Sequence, residues 1–392
     1  EIILRNVTVL AAPSFAFNDS SADFVSYIGC RVTPGPKPAG AAEARLKSST
    51  ADGIHSSTAK RGPLVENCLV ENNGDDGIAI HGYFSPLFRV EDLSVTVGPR
   101  GGVARTPYEV GEKLYLVHLE SGEYFGSAVI QSFKTVEDKS EIAELLKIGP
   151  TLKLREYKGY KEFVVLQLGK AELKAGESIR AGDIVCGANT TGNGFVVRNN
   201  TVRNLRARGI NIKASEGIVE GNTADYCAQA GIIFCPGLYF LEAFFAQNVV
   251  IKNNLIRECG YAKSNPENRL GGAFTMAAEG LKGEYPAAGN HRNIMIEGNV
   301  FERCYGVNMQ ITSASGVIVR NNQFKDSHPE IRLHATKRGV DPKKLIWVDT
   351  TDGLELDGNT YEGIGPAGDE EPLYLGKAVA NVKGAGEGLR KK

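Results

Sequence analysis

A six-residue segment that recurs through the second half of the chain limits its fold more than any other feature. Val197-Arg-Asn-Asn-Thr-Val202 returns as Val219-Glu-Gly-Asn-Thr-Ala224, Ile251-Lys-Asn-Asn-Leu-Ile256, Ile296-Glu-Gly-Asn-Val-Phe301, Val319-Arg-Asn-Asn-Gln-Phe324 and Leu356-Asp-Gly-Asn-Thr-Tyr361. The shared asparagine falls at 200, 222, 254, 299, 322 and 359, in steps of 22, 32, 45, 23 and 37. The two shortest steps agree, and the longer ones read as the same unit with loop insertions. A unit of that length holds a few short strands and cannot bury its apolar face alone. Stacking such units as coils gives a continuous core and lets insertions bulge out at the turns. Asn-Asn and Gly-Asn suit the corners, since both residues tolerate left-handed backbone. An asparagine at one corner of every coil can also bond up and down the stack. The fold predicted is all-β, a right-handed parallel β-helix.

Cysteine positions follow the same register. Cys227, Cys259 and Cys304 each lie five residues after a repeat asparagine, and Ser327 takes that place in the next coil. They read as a buried column of small side chains. The seven cysteines include no CxxC pair, which indicates neither a zinc site nor a complete disulfide framework.

One stretch breaks the pattern. Val65-Glu-Asn-Cys-Leu-Val70 resembles the segment at 197, yet 132 residues separate them. From Val90 to about Ala188 the asparagine corners vanish. Alternating runs such as Lys113-Leu-Tyr-Leu-Val-His-Leu119 and Glu162-Phe-Val-Val-Leu-Gln-Leu168 appear between Lys/Glu-rich stretches. This predicts a small β-barrel inserted in one turn of the helix. The division expected is 1–88 and 189–365 for the helix, 89–188 for the barrel, and 366–392 for a C-terminal tail.

A net charge of −1 offers no basic footprint for nucleic acid. No apolar run approaches the ~20 residues that span a bilayer. Neither is expected as a partner. The first residues already read as strand, without the charged and apolar regions of a leader.

The coil register also aligns the polar residues. Asp52-Gly53-Ile-His55 precedes Asp75-Asp76-Gly77-Ile-Ala-Ile-His81 with the same Asp-Gly-Ile order, 24 residues apart. Gly77 lies nine residues after Cys68 and Gly209 nine after Asn200, so Arg208 should stack on Asp76. Ile78, Ile80, Ile210 and Ile212 alternate with Ala79, His81, Asn211 and Lys213. The isoleucines belong to the core, which turns His81 and Lys213 outward on one sheet.

Carboxylates on adjacent coils repel each other, and at least one should keep its proton near neutral pH. One proton donor beside carboxylates that activate water is the division of labour in inverting glycoside hydrolysis, with acid and base ~6.5–9.5 Å apart. Asp-Gly is also common turn chemistry and a calcium-site element, so a solvated turn or a cation site is the competing reading. Arg206 and Arg208 face the aspartates from one tight bend, suited to pairing with them or gripping sugar hydroxyls. Glu242 sits in a longer turn among Tyr239, Phe240, Phe244 and Phe245. His118, in the insert, has no partner the sequence can name.

Asp52-Gly-Ile-His55, the Asp75-Asp76-Gly-Ile coil, a barrel-like insert and Arg206-Ala-Arg208-Gly209 resemble the α-1,3-galactosidases of glycoside hydrolase family 110. The likeness runs over roughly residues 45 to 260 and extends more distantly to polygalacturonases. It implies an inverting, exo-acting enzyme on terminal α-linked galactose. Asp75 would then be the acid, Asp52 and Asp76 would activate water, and Arg208 and Glu242 would hold the galactose. His55, His81, Arg206 and Lys213, grouped with them by the coil register, are further candidates for binding substrate. It implies no cofactor or metal, a carbohydrate as partner, and an extracellular or periplasmic location. The chain departs from the family pattern at Phe240-Leu-Glu242-Ala243 and at Asn211-Ile-Lys213. Other readings are a polygalacturonase-like enzyme, a lyase using calcium and an arginine base, or a non-catalytic glycan-binding β-helix.

Overall fold

The computed structural model describes residues 1–392 apart from 101, 103–107, 150–159, 263–271 and 331–338. Three parallel sheets run its length, one strand per coil in each. The first holds nine strands, from Ile2–Arg5 to Thr351–Asp357; the second runs from Thr8–Val9 to Leu389–Lys391. The third runs from Phe17–Ser20 to Leu373–Leu375.

A single coil shows how the sequence produces this. Val196–Arg198 lies in the first sheet, Thr201–Leu205 in the second and Ile210–Lys213 in the third. Val197, Val202, Leu205, Ile210 and Ile212 point inward and are buried. The corner between the first two strands explains the paired motif. The residue before the repeat asparagine has left-handed backbone, with φ of 56° at Asn199, 64° at Gly221 and 56° at Asn253. Only Asn or Gly sits comfortably there. The second residue turns inward and builds the ladder: Asn222 Oδ1 accepts from the Asn200 backbone N–H at 3.0 Å, and Asn254 Oδ1 from that of Asn222 at 2.9 Å. The series continues through Asn299 and Asn322 to Asn359. Cys68 takes the asparagine's place one coil earlier, its N–H donating to Asn200 Oδ1. Cys227, Cys259 and Cys304 are all buried and unbridged.

Val65 pairs directly with Val197, so the helix continues across the 131 intervening residues. Within them, Ser85–Glu91, Ser94–Val97, Val164–Leu168, Tyr124–Thr135, Lys113–Val117 and Ile184–Gly187 pair in that order and close into a six-stranded barrel. The chain leaves the helix at Phe84, a few residues before the expected boundary, because Ser85 already pairs with Val185. The all-β expectation missed a helix at Lys139–Ile148, started by Asp138, whose Oδ1 accepts from Ser140 N and Glu141 N. Ile142, Leu145, Leu146 and Ile148 do recur at helical spacing, and Ile142, Leu145 and Ile148 pack on the barrel's apolar cluster, so the signal was present but passed over in a Lys/Glu-rich stretch. The segment after 365 is not a loose tail. Leu373–Leu375 pairs with Ile346–Val348 and Leu389–Lys391 with Asn359–Ile364, adding a further partial coil.

The barrel is seated firmly on the helix. Tyr115 stacks on Phe244 at 4.3 Å, and Phe244, Phe245, Leu238 and Leu241 of a helix loop share one apolar cluster with barrel residues. Asn290 donates to the Gly122 carbonyl and accepts from Tyr124 N–H.

Candidate active site

The aspartates are held at the corner entering the third sheet. Gly53 N–H donates to the Asp76 carbonyl and Gly77 N–H to that of Arg208, which puts Asp52, Asp76 and Arg208 in one column. Glycine follows each aspartate for a steric reason. A Cβ on Gly53 would stand 2.7 Å from the Gly77 oxygen, and one on Gly77 2.5 Å from the Gly209 oxygen. The Asp-Gly order is therefore a packing requirement that also fixes where the carboxylates emerge.

Asp76 is buried and gripped on both oxygens. Its Oδ1 accepts from Arg208 Nε at 2.6 Å and from the Arg208 backbone N–H at 3.2 Å, and its Oδ2 from Asn211 Nδ2 at 2.7 Å. Asp52, also buried, meets His55 Nδ1 at 2.7 Å through Oδ2, and accepts from Asp76 N–H at 3.1 Å through Oδ1. Burial raises the Asp52 carboxyl above the usual range, with His55 opposing and the charge of Asp76 adding to the rise.

Asp75 differs. Its side chain is 46% exposed, and its nearest ion-pair partner is Arg208 Nη2 at 3.7 Å. Enclosure of the carboxyl, reinforced by the negative charge of Asp76 and against the pull of Arg208, pushes it up to about 6. The cluster thus separates one accessible proton carrier from two carboxylates clamped by N–H donors. The three each present an oxygen within 4.8 Å of the others. This is tighter than the ~6.5–9.5 Å expected. Asp52 and Asp76 stand on neighbouring coils one strand spacing apart, about 4.8 Å, and Asp75 adjoins Asp76 in sequence, which keeps the three together. The same oxygens are also close enough to share a cation.

His81 and Lys213 do face outward and pair across the sheet, yet both are buried. What covers them is the loop after Ile232–Phe234. Glu242 does not stay one coil on but returns to pair antiparallel with Tyr83. There its Oε2 meets Lys213 Nζ at 2.9 Å. Burial alone would raise the Glu242 carboxyl, but Lys213 and the nearby Arg208 hold it well below the carboxylate range. His55 lies between the rings of Phe15 at 4.3 Å and His81 at 4.9 Å. His81 in turn meets Tyr83 at 5.1 Å.

Two expectations need correction. Only Arg208 engages the aspartates; Arg206 is exposed, and its charge reaches Asp75 through space alone. His118 does have partners: Nδ1 meets Asp183 at 2.8 Å and Nε2 meets Glu177 at 2.9 Å, inside the barrel. Sequence reasoning placed Asn211 on the outward face but not in the site, although its spacing two residues before Lys213 was a usable signal. Tyr83 carried a similar one, two residues after His81. Nothing local pointed to Phe15.

Fold and cluster together define a parallel β-helix with a carboxylate site equipped for acid/base chemistry, roofed by a loop and an inserted barrel. Comparison with known proteins narrows this. Residues 181–284 match the family model described as a right-handed β-helix region. The chain is similar to the protein named α-1,3-galactosidase B of Akkermansia muciniphila, 28% identical over 270 residues, covering 66% of this chain and 29% of that protein. It is also similar to α-1,3-galactosidase B of Parabacteroides distasonis, 24% identical over 317 residues, covering 75% and 46%. The chain therefore spans less than half the length of these curated relatives, and the resemblance drawn from the coil motifs agrees with their name. Among solved structures, an alginate lyase from a Paenibacillus species superposes with a TM-score of 0.33 at 13% identity, covering 51% of this chain and 72% of that one. An α-1,3-glucanase from Streptomyces thermodiastaticus gives 0.29 at 10% identity, covering 97% and 63%. Superposition at that level does not inform the site.

Proposed function

We propose that this chain is a glycoside hydrolase that releases terminal α-linked galactose from glycans with inversion of configuration. The observation that carries the reading is the unequal state of the three aspartates. Asp75 is accessible and its carboxyl titrates near 6, as a general acid requires. Asp52 and Asp76 are buried carboxyl groups whose oxygens are already held by His55, Arg208, Asn211 and a backbone N–H. Asp76 Oδ1 already accepts two hydrogen bonds, whereas Asp76 Oδ2 and both Asp52 oxygens accept one each and keep a lone pair that can orient a water. Inversion itself rests on the resemblance to the α-1,3-galactosidases, and the anomer released first tests it. In this reading Asp75 protonates the departing oxygen while Asp52 and Asp76 polarise the attacking water. Arg208, His55, His81, Arg206, Lys213 and Glu242 bind and orient the sugar.

The roof over His81 and Lys213 closes one side of the groove, which suits a terminal sugar better than an internal one. The relatives' name supplies galactose as the sugar to test first. An extracellular or periplasmic location goes with that reading. A lyase reading is disfavoured because Arg208, the arginine nearest the aspartates, is committed to Asp76.

Proton NMR during hydrolysis of p-nitrophenyl α-galactoside and an α-1,3-linked digalactoside tests this. The first-formed product should be β-galactose. Initial α-galactose would refute inversion, and an unsaturated product would refute hydrolysis. No reaction with either substrate would remove the galactosidase assignment.

A further inference from the structure

The corner that carries the aspartates continues past them. Ala228 N–H donates to the Leu205 carbonyl and Gln229 N–H to that of Ala207, so this turn stacks on the one that holds Arg206 and Arg208. Gly260 N–H donates in turn to the Gln229 carbonyl, and Tyr305 N–H to that of Cys259. A tyrosine sits at each of these turns. The Tyr226 and Tyr261 rings stack at 4.5 Å with their planes 23° apart, and Tyr305 meets Tyr261 edge-on at 6.3 Å. At one strand spacing per coil, Tyr226 stands about 10 Å from the Asp76 coil along the helix axis, and Tyr261 about 14 Å.

The fold alone does not call for a tyrosine at 226. Its backbone is left-handed, with φ of 54°. Other coils fill that place with Asn204 and Asp326, at 55° and 47°, which tolerate such backbone. Two more fill it with Glu258 and Arg303, which pair with each other at 2.8 Å. A tyrosine there is strained, and burial returns little, because 44% of it stays exposed. Strain and exposure at one large aromatic point to a role in contacting something from solvent. Tyr261 covers one face of the ring and fixes it, so little order is lost when a ligand lands on the rest. Six residues after the repeat asparagine, the same corner runs Arg206, Ala228, Gly260, Tyr305. A methyl and a hydrogen thus lie between the exposed arginine and the last ring of the row.

We propose that Tyr226 and Tyr261 form a platform for the sugars beyond the cleaved bond. The C–H face of a pyranose packs on an aromatic ring, and Arg206 meets hydroxyls on the way there. A sugar unit in a chain is roughly as long as one coil spacing, so the rings lie two to three sugars from the aspartates. On the other side of Asp52 the corner carries a long turn, residues 33–53, bonded through Ser48 N–H to the Asn72 carbonyl and through the Ser49 carbonyl to Gly74 N–H. The turns on the Arg208 side are short, which directs the glycan toward the tyrosines. The inference rests on the carbohydrate reading above and names the part of the glycan that this corner holds.

Steady-state kinetics on p-nitrophenyl α-galactoside, the α-1,3-linked digalactoside and a linear tetrasaccharide ending in that digalactoside give the test. Wild-type KM should be lowest for the tetrasaccharide, the one substrate long enough to reach the rings. Tyr226→Asn suits the left-handed backbone and should melt no lower than wild type. It should raise KM for the tetrasaccharide roughly 2- to 10-fold, with kcat and both shorter substrates unchanged. Tyr226→Phe keeps the ring and should behave as wild type. Equal wild-type KM at all lengths, or a Tyr226→Asn effect that is absent or the same on all three substrates, would overturn the platform and leave the hydrolase standing. Failure to hydrolyse any of them would remove the hydrolase reading. Calorimetry with the tetrasaccharide then decides the platform by itself: weaker binding to Tyr226→Asn than to wild type upholds it, and equal or absent binding ends it.

Discussion

Replacing Asp75 by asparagine should slow the enzyme and stabilise the protein at the same time. The carboxyl is displaced from 3.8 to about 6, which at face value disfavours its ionisation by about 3 kcal/mol at pH 7. Nearly half of the side chain meets solvent, so screening reduces this to roughly 1 kcal/mol. Because the folded state raises the affinity for the proton, the penalty is absent below pH 3.8, grows between 3.8 and about 6, and is complete above that. Asp75→Asn should therefore melt higher than wild type at pH 7, with the gain gone near pH 3.5. Catalysis should move the other way. At pH 7 about a tenth of the Asp75 carboxyls carry the proton, against roughly one in a thousand for an unperturbed aspartate. Wild-type kcat/KM should thus fall along a basic limb near pH 6. In the variant that limb should vanish and turnover of the digalactoside drop by ~10²–10⁴-fold, with a smaller loss on p-nitrophenyl galactoside, whose leaving group needs less protonation. Calorimetric melting and pH-rate profiles on both substrates supply the readouts. Equal losses on the two substrates, or a surviving limb near 6, would show that Asp75 is not the donor.

The ladder should be costly to interrupt. Asn222→Ala removes the acceptor for the buried Asn200 N–H and one donor to the Val197 carbonyl, at a cost of about 1–3 kcal/mol for the N–H left unpaired. Urea denaturation should show it, and a change under about 1 kcal/mol would mean that the ladder bears little of the fold's stability. Chelation should leave hydrolysis unchanged, since the reaction drawn uses only protein groups. Loss of rate with chelator, restored by calcium, would recast the three aspartates as a cation site.

Much of the helix was legible because its physics is local and repeated. Each coil needs a left-handed residue, an inward asparagine and short apolar strands, so the pattern survives insertion of a whole barrel between Val65 and Val197. The column of Asp52, Asp76 and Arg208 could be read for the same reason: a β-helix converts equal sequence offsets into neighbours in space. Where the offset fails, so does the reading. Arg206 and Arg208 look equivalent in the bend, but the turn sends one to solvent and the other to Asp76.

By itself, then, the sequence determined the parallel β-helix, its corner ladder, its cysteine column and the coil positions of the candidate acids. Tertiary structure alone decided how far apart those acids stand, because coil spacing sets that distance and no residue pattern records it. It also decided that Glu242 returns to Tyr83, that Asn211 completes the grip on Asp76, and that Tyr115 of the barrel stacks on Phe244. These contacts join segments whose separation is set by loop path and by how one folded unit sits on another. Neither leaves a period in the chain to be read.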